Sequence, residues 1–73
     1  MKKDIIFSPH AKMRILQRGI NEETIIEIIR NPEYTLKSFL ERKIAVRKIG
    51  DKSWHVIYIE EEKIIKVVTI YYE

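Results

Sequence analysis

At 73 residues and with no cysteine, the chain is a single domain, held by packing alone, with no disulfide framework, thiolate nucleophile or zinc–thiolate site open to it. Fourteen lysines and arginines against eleven carboxylates give a net charge of +3. No apolar run is long enough for a signal peptide or a membrane span, so a soluble cytoplasmic protein without membrane association is expected.

Isoleucine is used heavily, and Lys, Arg and Glu supply most of the polar surface, a usage that resembles that of thermophiles. The charge is also segregated along the chain. Residues 1–19 and 42–53 each carry +4, while residues 20–41 carry −3 and residues 54–73 carry −2. Two basic segments form an anion site only if the fold brings them together.

Ser8-Pro9 is a helix start, because Ser caps free amides of the first turn and Pro is preorganised for the first helical position. A first helix is predicted from about Pro9 to Arg18, ended by Gly19 in a left-handed C′ position. Asn21 opens a second helix, about Glu22 to Arg30, whose acidic first turn suits the positive end of the helix dipole. Its Ile25, Ile26, Ile28 and Ile29 make one apolar face, and Asn31-Pro32 stops it.

Beyond Pro32 β-branched and aromatic residues dominate, with turn signals at Gly50-Asp51 and at Glu60-Glu61-Glu62-Lys63. Strands are predicted at Tyr34 to Leu40, Lys43 to Ile49, Trp54 to Glu60 and Ile64 to Tyr72. The expected fold class is α+β, with two N-terminal helices packed on one face of a small twisted antiparallel sheet of three or four strands. Alternation puts Ile44, Val46 and Lys48 on one side of the second strand, and Lys43, Ala45, Arg47 and Ile49 on the other. In the last strand Ile65, Val67, Thr69 and Tyr71 share one face and Ile64, Lys66, Val68, Ile70 and Tyr72 the other, so both faces are apolar. At a sheet edge such a strand invites pairing with a second copy or another protein; in the middle of the sheet it is simply buried.

The chemistry concentrates in the first helix. His10, Arg14 and Arg18 recur at a spacing of four and fall within about 80° of arc, with Gln17 beside them. The plainer reading is a solvated face in which the arginines pair with Glu22, Glu23 or Glu27. The functional reading starts from His10 in the first turn, where the helix dipole and Arg14 both work against an imidazolium and a neutral imidazole can act as a base. In RNA cleavage by internal transfer, such a base takes the 2′-hydroxyl proton while cations stabilise the phosphorane and an acid protonates the leaving 5′-oxygen. His55, Lys48, Tyr58 and Tyr71 are candidates for the acid by chemistry alone.

The order S8-P-H-A-x-x-R-x-x-x-R-G-I20, then N31-P-E33, K43-I-A-V-x-K-I-G50 and V67-V-T-I-Y71, resembles a small prokaryotic family of uncharacterised domains. That family is grouped with the RelE/ParE/BrnT-like toxins of type II toxin–antitoxin systems, and the resemblance covers nearly the whole chain. It implies two N-terminal helices against a curved antiparallel sheet of RelE/ParE-like form, and RNA and an antitoxin protein as partners. It also implies that His10, Arg14 and Arg18 belong to the family signature, while the catalytic residues of the RelE-like nucleases are not carried over. On the helix-dipole argument above, His10 is expected as the base and Arg14 and Arg18 as the phosphate-holding cations of a metal-independent endoribonuclease. Arg42, Lys43 and Lys48 are then basic strand positions facing the same cleft.

Trp54, Tyr58, Tyr71 and Tyr72 are read as packing residues or as platforms for unpaired bases, with Tyr72 and Trp54 the better surface candidates; Tyr71 is grouped with Arg42, Lys43 and Lys48 as nucleic-acid-binding. No paired metal-ligand spacing and no glycine-rich phosphate loop is present, so neither a metal nor a cofactor is expected. The expected function is that of a toxin-like RNA-binding domain with ribonuclease chemistry. The alternative is a non-catalytic basic module that binds nucleic acid or protein, and pairing into a homodimer is left open.

Overall fold

The chain folds from a strand, not from a helix. The computed structural model describes residues 3–73, and within them β1 (Asp4–Phe7) precedes both helices, α1 (Pro9–Arg18) and α2 (Glu22–Arg30). Then follow β2 (Tyr34–Lys37), a single 3-10 turn at Phe39–Glu41, β3 (Arg42–Ile49), β4 (Lys52–Glu60) and β5 (Ile64–Tyr72). The five strands form one sheet in the order β1-β5-β4-β3-β2, with β1 parallel to β5 and every other pair antiparallel. The expected three- or four-stranded antiparallel sheet under N-terminal helices is therefore corrected to a five-stranded mixed sheet with the helices inserted after its first strand. Apolar side chains on both faces of β5 suit an interior strand, and β1 supplies the neighbour that keeps it off the edge.

The helix boundaries follow the capping chemistry. Ser8 Oγ accepts the Ala11 amide at 3.1 Å and donates to the Val68 carbonyl at 2.9 Å, so one hydroxyl both caps α1 and ties its start to β5. Gly19 ends the helix with φ of 69°, a left-handed conformation that costs glycine nothing. Asn21 Oδ1 accepts from the Thr24 amide and hydroxyl, both at 2.8 Å, and caps α2. The Arg47 guanidinium donates to the Asn31 carbonyl at 2.6 Å, where the negative end of the helix dipole favours a cation.

Both helices lie on the same side of the sheet. Ala11 and Ile15 of α1 and Ile25, Ile28 and Ile29 of α2 are buried in one cluster with Ala45, Trp54, Val56, Tyr58, Val67 and Ile70. Strict alternation along β5 would separate Val67 from Ile70, but they share the helix-facing side. The pairing steps from Ile57↔Thr69 to Tyr58↔Val67, so Val68 is an extra residue that forms a β-bulge and resets the alternation. Strand β2 is shorter than expected because Leu40 and Glu41 turn the backbone left-handed, with φ of 58° and 60°, and close the link to β3.

The opposite side of the sheet carries no helix. Register places Tyr34, Val46, His55 and Tyr71 in one row on that face, Leu36, Ile44, Ile57 and Thr69 in the next, and Arg42, Ile59, Lys66 and Ile6 in a third. His55 and Tyr71 stack at 4.6 Å with ring planes 15° apart, and His55 is only 7% exposed. No helix among the described residues is long and apolar enough to cross a membrane. Because Ile28 is fully buried between α2 and the sheet, Ile28→Ala is expected to lower unfolding stability by about 2–5 kcal/mol in urea titrations, leaving the m-value unchanged.

Candidate nucleic-acid interface

The helix stripe meets the sheet at the far end of β5. Arg18, in the last turn of α1, sets its guanidinium carbon 5.4 Å from the centroid of the Tyr72 ring. Lys52 Nζ lies 4.7 Å from the same centroid, and Trp54 meets the ring in a tilted contact at 5.0 Å and 56°. Trp54 is buried and anchors the group, whereas Tyr72 is 38% exposed and has two cations near its ring. Cation–π contact orients such cations without neutralising them, leaving both able to hold an anion.

Further along α1, Arg14 Nε donates to His10 Nε2 at 3.4 Å. His10 is exposed and Arg14 half-buried, so the polar band given by the spacing of four is continuous from the start of α1 to Tyr72. Neither Arg14 nor Arg18 forms an ion pair with Glu22, Glu23 or Glu27 among the described residues. The acidic first turn of α2 leaves their charge uncancelled.

The remaining expected site residues go elsewhere. Arg42, Lys48 and Tyr71 lie on the helix-free face of the sheet, since they share rows with Ile59, Ser53 and His55. Lys43 is on the helix side but is held by Glu60: its Nζ lies 2.6 Å from Glu60 Oε1, and Lys3 Nζ reaches Oε2 at 3.0 Å. Lys43 pairs with Tyr58 in the register, and Tyr58 is four residues along β4 from Trp54, about 13 Å from the Tyr72 end. The expected strand cations Arg42, Lys43 and Lys48 therefore do not join the helix stripe. What converges with Arg18 is Lys52 and Tyr72. Lys52 was invisible as a partner because its position depends on the Trp54↔Tyr72 register between β4 and β5.

The Lys3–Glu60–Lys43 group borders a cleft of about 530 Å³ also lined by Lys37, Arg42 and Glu41. The hydrogen bond from Lys43, and then that from Lys3, holds the Glu60 carboxyl below the usual carboxylate range, and the same bond to Glu60 raises the Lys43 ammonium above its ordinary value. Burial pushes the Tyr58 phenol up against the opposing charge of Lys43, with Glu60 adding in the upward direction. Carboxylates balance cations around this cleft, so it is a structural ion group rather than an attractor for nucleic acid. Among the described residues no group of three or more His, Cys, Asp or Glu side chains is placed to hold a metal ion.

In comparisons with known proteins, residues 7–72 match the family model described as Domain of unknown function (DUF4258). No curated protein and no solved structure matches the chain.

Glu60 contributes stability because its carboxyl ionises more readily in the folded state than in the unfolded one. Its contribution is present above the ordinary glutamate range and is lost as pH falls through the lowered native value. The Lys43 contribution runs the other way, lost as pH rises through its raised value. Glu60→Gln is expected to lower the melting temperature near neutral pH and to lose that deficit in strong acid, as read from melting curves across pH. An unchanged deficit at acid pH contradicts the ion group.

Proposed function

The chain belongs to the family described as Domain of unknown function (DUF4258), and from its geometry we propose that it binds single-stranded RNA along the band from His10 through Arg14 and Arg18 to Tyr72 and Lys52. The observation that carries this reading is the exposed Tyr72 ring with two unpaired cations close to it. A ring of this kind stacks on a base of any identity, while flanking cations hold the adjacent phosphates, the combination used for unpaired strands. A duplex offers no base face to such a ring, so the strand bound is single. The length of α1, about 15 Å, suits two or three nucleotides along the band.

The contact from Arg14 to His10 favours a second reading, ribonuclease activity of the toxin-like kind implied by the motif order. In the free protein His10 Nε2 is occupied by the Arg14 hydrogen bond. A phosphate that draws Arg14 away frees Nε2 to take the 2′-hydroxyl proton, so substrate binding itself exposes the base. The acid for the 5′-oxygen is then solvent or a group brought by the RNA complex, since His55 sits on the other face of the sheet. An antitoxin in this setting is a protein that covers the same band.

Fluorescence anisotropy with a labelled oligouridylate of about ten nucleotides tests the binding. Tyr72→Ala is expected to weaken affinity by about 5- to 100-fold, in line with the loss of one base stack. Arg18→Ala is expected to weaken it and to reduce the slope of log affinity against log salt by about 0.7. Unchanged affinity in both variants refutes the assignment. His10→Ala separates the two readings: retained binding with lost cleavage identifies the base, and identical products from variant and parent exclude it.

A further inference from the structure

The helix-free face of the sheet is out of character for a surface meant for water. Antiparallel sheets covered on one side normally alternate apolar and polar residues, so that the open face is polar. Here the open face centres on Ile44 and Ile57, with Leu36 45% exposed at the β2 side, and no charge interrupts that centre. Beside it in sequence, the β2–β3 turn adds Phe39 and Leu40, 88% and 79% exposed, with Leu40 on left-handed backbone. Below the apolar centre, Arg42 and Lys66 flank Ile59 on β3 and β5, about 10 Å apart across β4. Neither cation has an ion pair among the described residues, and Arg42 Nε is buried without a hydrogen-bond acceptor. A buried donor without a partner is costly, and a complex that supplies an acceptor removes that cost.

We infer that this face docks an acidic amphipathic segment of a partner protein, its apolar side chains over Ile44, Ile57 and Leu36 and its carboxylates on Arg42 and Lys66. Size and charge both select a segment over a second copy of this chain. The three rows across β2 to β5 span about 14 by 14 Å between Cα positions, room for one helix of about 10 Å diameter but far short of the roughly 800 Å² per partner of a stable protein interface. A face-to-face two-fold along the strands exchanges the places of β3 and β5 about β4 and sets Arg42 over Lys66 of the other copy. A two-fold across the strands through the Ile44–Ile57 row sets Arg42 over Val46 and Lys66 over Tyr71 of the other copy. The first arrangement buries cation against cation and the second offers neither cation a carboxylate, whereas a segment bearing carboxylates satisfies Arg42 and Lys66 together.

The test uses two synthetic helical peptides with leucine at i, i+3, i+4 and i+7, one with glutamate and one with lysine at the polar positions, titrated into the full chain and followed by NMR. The glutamate peptide is expected to shift the resonances of Ile44, Ile57 and Leu36, to bind at least tenfold more tightly than the lysine peptide, and to leave the oligouridylate affinity unchanged. The double variant Arg42→Gln/Lys66→Gln is expected to remove the preference between peptides, which attraction by net charge alone would not do. Ile57→Lys is expected to abolish binding, and Leu36→Lys, on an exposed edge position that the core does not need, serves where the first variant unfolds. Equal binding of the two peptides, shifts confined to the helix side, or a concentration-dependent dimer that Leu36→Lys converts to monomer each overturn the inference.

Discussion

Strand β5 is the element on which the other parts depend. It hydrogen-bonds to β1 on one side and β4 on the other, receives α1 through Ser8, and delivers Tyr72 to Arg18 at its far end. A strand placed in this way has no edge to protect and so tolerates apolar side chains on both faces. The β-bulge at Val68 sits where Ser8 bonds to the strand, and it returns Ile70 and Tyr72 to the helix side. Without that extra residue Tyr72 would face away from α1, and the cation–aromatic group could not form.

Two short helices can cover only one face of five strands, and this inequality divides the molecule. On the helix side, burial of Ile25, Ile28, Val56, Val67 and Ile70 builds the core, and the polar flank of α1 is left at its margin as the band from His10 to Arg18. On the other side, Val46 and His55 are buried only by their neighbours within the sheet, among them Tyr71 stacked on the histidine. The two surfaces are chemically different. One offers unpaired cations around an exposed ring, the other an apolar centre bounded by two unpaired cations.

Local chemistry was legible in the sequence and long-range pairing was not. The caps Ser8, Gly19 and Asn21, the arrest at Asn31-Pro32, and the alternation of Ile44, Val46 and Lys48 against Lys43, Ala45 and Arg47 all follow from neighbours a few residues apart. Strand β1 escaped because four residues are too few to display a period of two, and its partner in β5 lies 60 positions away, as Asp4↔Ile64 shows. Among site residues, the helical period alone groups His10 with Arg14 and Arg18. The motif order suggested that Arg42, Lys43 and Lys48 would join them, but strand register sends Arg42 and Lys48 to the opposite face and Glu60 claims Lys43. Lys52 and Tyr72 come together only through the β4–β5 register and the bulge.

The most direct measurement is an amide chemical-shift map of the chain titrated with a short oligouridylate at two salt concentrations. RNA bound along the α1 band predicts shifts concentrated at His10, Arg14, Arg18, Lys52 and Tyr72, weaker at the higher salt, with Ile44, Ile57 and Lys66 unmoved. Shifts centred on the helix-free face, or none at any concentration, would contradict it.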